Sequence, residues 1–258
     1  MCRPIVKDRI ELPLWDGLPC RIRIAYIEIF RHLNGGRRVE SVKVEDYLKA
    51  IYQICAAAGT DAAATGEVAE RLRVTPGSVT TMLQRLAESG LVKYQSHRGA
   101  KLTENGQKVA LNVLRRHRLV ELFLTKTLGL SWDEIHAEAE NLEHAVSERL
   151  IDRIDQQLGY PDRDPHGDPI PNADGSLRSA PGEPLAVCAA GTRFVLERVL
   201  DQTPEFLRYL RDGGLIPGCT ASVVQNLPSA GIMTLQAADH QVSLSRDAAS
   251  KLLVRIVE

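Results

Sequence analysis

Four side chains of metal-ligand type lie within a short stretch of this chain, at spacings that fit one side of an α-helix. The stretch begins at His136 and ends at His144. Steps of three and four residues are neighbours on a helical surface, and a histidine and a glutamate upstream repeat the four-residue step. We therefore predict two helices that meet across shared metal ligands. The six candidates are His117, Glu121, His136, Glu140, Glu143 and His144.

A helix rich in glutamate and histidine is commonly just a solvated face with stabilising side-chain pairs. Six ligand-type residues on two helices argue against that alternative, and so does a separate apolar stripe that includes Ile135 and Leu142. Carboxylate and imidazole ligands suit Mn(II), Fe(II), Co(II) or Zn(II). Because none of the six is a thiolate, the pattern favours the harder ion, manganese, although selectivity then has to come from geometry and availability.

A helix-turn-helix with a β-wing is predicted upstream of these ligands. Thr65 suits the N-cap of a short helix, and Thr75 with Pro76 suits the start of the next helix. Small and hydrogen-bonding residues on the outer face of this second helix suit a major groove, although any exposed face carries such residues. The strands and turn predicted between Gly90 and Leu102 favour the interpretation of this face as DNA-binding, because they form a β-wing. The DNA-binding candidates are Thr75, Ser78, Thr80, Thr81, Gln84, Arg85, Lys93, Arg98 and Lys101.

The apolar periodicity divides the chain into several domains, mainly α with β. A long helix after Thr103 carries His117, and Ser131 with Glu134 predicts a capping box that starts the next helix near Trp132. Short strands with one inserted helix, Pro204–Asp212, predict a small β-barrel at the end. The domains are an N-terminal extension (1–41), a winged-helix DNA-binding domain (42–114), a helical metal-binding and dimerisation domain (115–158), a Pro/Gly-rich linker (159–184) and the β domain (185–258). For residues 1–41, disorder and a mis-assigned translation start both remain open.

The charge distribution fits a DNA-binding module followed by a cation-binding one. Residues 43–118 hold 12 Lys and Arg against 7 Asp and Glu, whereas residues 119–258 hold 12 against 21. The five scattered cysteines and the lack of a long apolar run predict a cytoplasmic protein with no membrane partner. We expect a homodimer on a palindromic operator in double-stranded DNA, because such modules usually read two half-sites.

Three segments resemble one known family: Glu45–Tyr52, Arg116–Glu121 and His136–His144. They are similar to the DtxR/MntR family of metal-dependent transcriptional regulators, in its three-domain form with a C-terminal SH3-like domain. The resemblance implies repression of metal-uptake genes and no catalysis. It also implies manganese, because the iron-responsive members have Met and Cys where this chain has Asp46 and Glu140. The implied primary site is Asp46, Glu140, Glu143 and His144, and the second is His117, Glu121 and His136 with Gln202 or Glu205.

One departure from the family pattern concerns the primary site. Short manganese regulators have a second carboxylate one turn after the first aspartate, and this chain has Lys49 there. That residue argues against their closely bridged pair of metal ions. The alternatives are an iron-responsive regulator of the same kind, a metal-independent winged-helix regulator, and a metalloenzyme, since His/Glu clusters also activate water.

Overall fold

The N-terminal part of the protein is a winged helix-turn-helix. This computed structural model describes residues 36–177 and 182–257. Helix α1 (Gly36–Ala58) begins several residues before the predicted start, so it includes the end of the predicted extension, whereas residues 1–35 lie outside the described part. Helices α2 (Thr65–Leu72) and α3 (Pro76–Glu88) follow.

Local capping chemistry explains where α2 and α3 begin. The hydroxyl of Thr75 accepts a hydrogen bond from the Ser78 N–H at 3.3 Å, as predicted, and Pro76 occupies the first turn of α3. The predicted cap at Thr65 is wrong. That residue is already helical, and Ala64 is the N-cap, with its N–H donating to the Glu67 carboxylate at 2.8 Å.

The predicted wing is an antiparallel hairpin of β1 (Val92–Gln95) and β2 (Gly99–Leu102), in which Val92 pairs with Leu102. It shares one hydrophobic core with the three helices. That core is formed by buried apolar residues from every element, among them Leu48, Ile51, Val68, Val79, Leu83, Val92 and Ala100. The wing is thereby fixed relative to α3.

Helix α4 (Glu104–Leu128) joins this domain to the metal-ligand helices. Its cap is the Thr103 hydroxyl, and it ends at Gly129, where the positive φ of 71° suits glycine. Helices α5 (Ile135–Leu142) and α6 (Glu148–Gln157) follow. The predicted start of α5 near Trp132 is three residues early. Ser131 does hydrogen-bond to Glu134 at 2.5 Å, but residues 131–134 form a turn.

The segment predicted as a Pro/Gly-rich linker is instead packed into the protein between residues 164 and 171. Asp164 accepts hydrogen bonds from the N–H groups of His166 and Asp168, at 2.8 and 2.9 Å, so the carboxylate satisfies the backbone of a tight turn. Gly167 lies so close to the Glu197 carbonyl that a Cβ atom would be 2.0 Å from it. The Pro, Gly and Asp residues therefore build a compact turn rather than a tether.

The C-terminal domain is the predicted SH3-like β domain, with one continuous hydrophobic core that also includes residues of α4, α5 and α6. The elements are β3 (Glu183–Pro184), a 3₁₀ turn (Leu185–Val187), β4 (Arg193–Val199), α7 (Pro204–Asp212), β5 (Thr220–Leu227), β6 (Ile232–Ala237), β7 (His240–Ser245), α8 (Arg246–Ser250) and β8 (Leu252–Val257). The six strands form one antiparallel sheet with the order β3-β8-β4-β5-β6-β7. None of the described helices is long and apolar enough to cross a membrane.

Candidate metal centre and DNA-binding face

Within the described residues, three groups of side chains bring metal-ligand atoms within 4.8 Å of one another. They lie along α4, between α1 on one side and the 160–171 turn on the other. Each group contains at least one histidine and one carboxylate. We name them by one member: the Asp46 group (Asp46, Glu143, His144), the Glu140 group (His117, His136, Glu140) and the Asp164 group (Glu121, Asp164, His166).

The Asp46 group joins the DNA-binding domain to the end of α5. Nε2 of His144 lies 2.8 Å from Oδ1 of Asp46 and 3.1 Å from Oε1 of Glu143. Glu143 is completely buried. Burial opposes the imidazolium, but hydrogen bonds to Asp46, Glu143 and Glu45 outweigh it and raise the pKa of His144 to about 11. The carboxylates around His144 therefore favour its charged form.

The Glu140 group is linked to the other two by shared carboxylates. Nδ1 of His117 lies 2.6 Å from Oε2 of Glu143, and its Nε2 lies 3.0 Å from Oε1 of Glu121. The same Glu121 oxygen lies 3.2 Å from Nδ1 of His136. Burial disfavours the charged ring, yet Glu121 and Glu143 raise the pKa of His117 to about 9. The three groups thus form one connected network.

Glu140 was expected beside Asp46, and the structure places it differently. Its Oε1 lies 3.7 Å from Nε2 of His136 and 3.9 Å from Nδ1 of His117. It also accepts a hydrogen bond at 2.8 Å from Lys49, an α1 residue. Glu140 therefore groups with His117 of α4 and His136 of α5 rather than with Asp46.

Lys49 is a buried cation between two of these groups. Its Nζ donates to Oε1 of Glu143 at 2.5 Å as well as to Glu140, and its side chain is 7% exposed. Burial disfavours the ammonium, but the charges of Glu143 and Glu140 outweigh this and raise the pKa of Lys49. The position of Lys49 between two carboxylates is consistent with the prediction that this site does not hold a closely bridged pair of metal ions.

The Asp164 group was not predicted, because its two new members lie in the segment interpreted as a linker. Nε2 of His166 lies 2.8 Å from the Trp132 carbonyl oxygen, while its buried Nδ1 has no hydrogen-bond partner among the described residues. Oε2 of Glu121 lies 3.7 Å from that nitrogen. Burial, with the charges of Asp168 and Glu121, raises the pKa of Asp164 to about 7. The motif Asp164-Pro-His166 is the signal that sequence reasoning overlooked.

The structure does not bring Gln202 or Glu205 into any of the three groups. The amide nitrogen of Gln202 donates to Oδ2 of Asp168 at 2.8 Å. The Glu205 side chain is 81% exposed in the first turn of α7 and lies 3.5 Å from Arg208. The 160–171 turn lies on the side of Glu121 that these residues were expected to fill, and a ligand role for Gln202 or Glu205 stays a prediction.

The donor chemistry of these groups fits a hard divalent cation. All the ligand atoms are carboxylate oxygens and imidazole nitrogens, with no thiolate or thioether among them. An orphaned buried nitrogen faces a carboxylate at His166, and a bound cation would satisfy both. In the Asp46 group, Asp46, Glu143 and His144 would hold the ion.

The DNA-binding candidates lie together on α3 and the wing. Thr80 is half-buried, and the other eight candidates are exposed. Some have intramolecular partners: Thr80 and Thr81 donate to backbone carbonyls one turn earlier, at 3.0 and 3.1 Å, and Lys101 lies 2.5 Å from Asp61. The ordered outer face of α3 is available for a major groove.

Three family models match consecutive parts of the chain. They are described as "Iron dependent repressor, N-terminal DNA binding domain" (residues 41–100), "Iron dependent repressor, metal binding and dimerisation domain" (103–172) and "FeoA domain" (183–256). Together they cover the winged helix, the metal-ligand helices and the C-terminal sheet. The second match extends through the 160–171 turn, in agreement with the packing of that segment.

Several known proteins are similar to this chain over most of their length. The iron-dependent repressor IdeR of Mycobacterium leprae is 30% identical over 229 residues, covering 83% of this chain and 96% of that protein. The regulator MntR of Lysinibacillus sphaericus is 38% identical over 111 residues, which is 43% of this chain and 78% of that protein. A solved manganese-dependent transcriptional repressor in complex with manganese is 40% identical, covers 83% of this chain and all of that one, and has a TM-score of 0.73.

Proposed function

Because the chain belongs to the iron-dependent repressor family, the DtxR/MntR family of metal-dependent DNA-binding repressors, we propose that Mn(II) is the ion that activates it. The active form in this proposal is a homodimer that binds a palindromic operator and represses genes of metal uptake. The metalloenzyme alternative is not favoured, since the family consists of transcriptional repressors.

One observation carries the mechanism: Asp46, on α1 of the winged helix, meets His144 and Glu143 from the end of α5. Without metal, the raised pKa of His144 favours a proton on its ring between these carboxylates. A divalent ion at this position would replace the proton and bind residues from both domains more tightly. Metal then stabilises one arrangement of α3 relative to the dimer, so that metal and DNA each raise the affinity for the other.

The proposed metal sites follow the three groups. Asp46, Glu143 and His144 hold the regulatory ion, with Glu140 at its edge. A second ion is held by Glu121 with the histidines of α4 and α5, or by Glu121 with Asp164 and His166. Glu121 belongs to both sets of side chains. We therefore propose that the two sets hold one ion between them, rather than one ion each.

Manganese is supported by the donor set. Harder oxygen ligands suit Mn(II), and the described ligand groups contain no sulfur donor. The chain resembles both an iron-dependent repressor and a manganese-dependent one, with higher identity to the latter over the same share of the chain. Iron is the second candidate, because Fe(II) binds the same ligand types.

For DNA recognition, we propose that the exposed outer face of α3 reads base edges and that the wing binds phosphates. Ser78, Thr81, Gln84 and Arg85 face outward on α3, with Thr75 at its N-terminus and Thr80 alongside. Lys93, Arg98 and Lys101 provide positive charge on the wing. Two-fold symmetry of the dimer would then match a palindromic operator.

The direct test is binding of the purified protein to its own upstream DNA, measured by fluorescence anisotropy at one fixed salt concentration. We expect no specific binding in chelator and tight binding with Mn(II), with Fe(II) under anaerobic conditions and Zn(II) as comparisons. Equal binding in chelator would contradict metal dependence, and a stronger response to Fe(II) at matched free concentration would contradict the choice of manganese.

Substitution at Glu143 tests the site itself. Glu143→Ala should retain the helical circular dichroism of the protein and lose the metal stimulation of DNA binding. Glu138→Ala is the matched control, because Glu138 is an exposed residue of the same helix outside the three ligand groups. Unchanged stimulation in Glu143→Ala would refute the proposed site.

A further inference from the structure

His144 is held from both sides by consecutive residues of α1. Asp46 contacts Nε2, and Oε2 of the preceding residue, Glu45, lies 2.7 Å from Nδ1. Successive residues of a helix point about 100° apart, so two neighbours on α1 can reach opposite edges of one ring. The Glu45 side chain is 19% exposed and that of His144 is 10% exposed.

Glu45 is itself fixed by Arg116 of α4. Nη2 of Arg116 donates to Oε1 of Glu45 at 3.3 Å, which leaves Oε2 for His144. Nη1 of the same guanidinium donates to the Glu143 carbonyl oxygen at 3.3 Å. One mostly buried arginine therefore connects α1, α4 and the main chain at the end of α5. The planar guanidinium has a fixed geometry, so it restrains the carboxylate and the ligand backbone together.

The partner of one ring nitrogen of a histidine determines how the other nitrogen binds a metal ion. A neutral imidazole has one N–H and one lone pair, and the partner of one nitrogen decides which nitrogen binds a metal. A carboxylate at Nδ1 keeps the proton there and directs the lone pair of Nε2 away from it. In this protein Nε2 faces Asp46 and Glu143, the other two members of the group.

We propose that Glu45, held by Arg116, is a positioning residue that keeps the Nδ1–H tautomer of His144 and aims Nε2 at the regulatory metal. This inference rests on the proposed function, because it requires a metal ion in the Asp46 group. Glu45 does not bind the ion itself. It adds a second connection from the DNA-binding domain to the centre, through the far side of the ligand ring.

Mn(II) affinity is the first test, measured from the EPR signal of the free aqueous ion, so that DNA binding is not needed. Glu45→Ala should weaken binding in the Asp46 group by about 10- to 100-fold, the usual cost of losing a partner behind a metal ligand. Glu45→Gln should weaken it less, because the amide oxygen still accepts from Nδ1–H. This second variant keeps the test valid if the alanine variant fails to fold.

Glu148→Ala is the matched control. Glu148 also lies near Arg116, 3.7 Å from Nε, but it is 63% exposed and is not a partner of the ring. Its loss should leave Mn(II) affinity unchanged. Wild-type affinity in Glu45→Ala would overturn the proposal, and so would an equal loss in Glu148→Ala, since that result would assign the effect to the surroundings of Arg116.

The ring orientation can also be observed directly. In protein loaded with ¹¹³Cd and labelled with ¹⁵N-histidine, cadmium should couple to Nε2 of His144, whereas coupling to Nδ1 would overturn the assignment. His144→Ala separates this inference from the proposed function. If that variant keeps wild-type Mn(II) binding, the metal site itself is misplaced; if it loses binding while Glu45→Ala does not, only the role of Glu45 is wrong.

Discussion

Nζ of Lys49 lies 2.5 Å from Oε1 of Glu143, inside the candidate metal centre. Together with one divalent ion, this ammonium balances the formal charge of the three nearby carboxylates, Asp46, Glu140 and Glu143. A buried carboxylate without such a partner is costly. These charges match the proposal of one metal ion in the Asp46 group beside one fixed positive charge.

Metal stoichiometry should change when that charge is reversed. Lys49→Glu adds a carboxylate and removes the ammonium, so we expect one more Mn(II) per protomer, measured by elemental analysis after dialysis. Two ions close together should also give an exchange-coupled EPR spectrum. Lys43→Glu makes the same charge change at an exposed position of α1 and should not alter the count. An exchange-coupled spectrum in the unmodified protein would contradict this interpretation.

The second metal position should depend on His166 and not on Glu205. His166→Gln removes the buried nitrogen that faces Glu121, so we expect a weaker second Mn(II) binding event in calorimetry. Glu205→Ala should have no effect, because that side chain is exposed and paired with Arg208. His240→Gln, at an exposed position, is the control for His166. If Glu205→Ala weakened the second binding event and His166→Gln did not, Glu205 rather than His166 would be the ligand.

Mn(II) affinity should rise with pH. The pKa of His144 is raised from 6.5 to about 11, so its charged form stabilises the metal-free fold fully below pH 6.5, and this contribution is lost as the pH rises towards 11. A metal ion needs the neutral ring and displaces the proton. Apparent affinity should therefore increase by about tenfold per pH unit for each displaced proton.

Calorimetry in buffers of different ionisation enthalpy measures those protons directly. Binding to the Asp46 group should release at least one proton at neutral pH, and His144→Ala should release fewer. His97→Ala, on the exposed wing, should release the same number as the unmodified protein. Metal binding without proton release would be inconsistent with the raised pKa of His144.

Substitutions on the two DNA-binding elements should have different signatures. Arg98→Ala removes an exposed charge from the wing and should weaken binding to operator and random DNA alike, with a salt slope shallower by about one. Gln84→Ala, on the outer face of α3, should instead reduce the preference for the operator by about 1 to 3 kcal/mol. Equal loss of preference in both variants would show that the wing also reads sequence.

Local rules predicted much of the fold. The start of α3 follows from Thr75 and Pro76, and the inserted helix of the C-terminal domain has the predicted bounds, Pro204–Asp212. The short strand β3 lies in the segment predicted as a linker and was not predicted. Where prediction failed, a long-range contact decides the structure. The segment around Gly167 has the composition of a tether, and only its packing against Glu197 and α4 makes it a compact turn.

In the metal centre, too, local spacing predicted some contacts, whereas long-range packing decides the others. Periodicity placed His117 and Glu121 on one helix face, because residues four apart are neighbours on a helix. Spacing could not predict that His166 turns towards Glu121, or that Lys49 reaches two carboxylates more than ninety residues away. Those contacts depend on how separate elements pack.

In the proposed mechanism, a metal ion couples the DNA-binding domain to the ligand helices through Asp46. The most direct measurement is Mn(II) affinity with and without saturating operator DNA, alongside DNA affinity with and without Mn(II). Linkage requires the two ratios to be equal, and we expect about 5- to 150-fold for the unmodified protein and a ratio near one for Asp46→Asn. A ratio near one in the unmodified protein, or full coupling in Asp46→Asn, would show that metal at Asp46 does not control DNA binding.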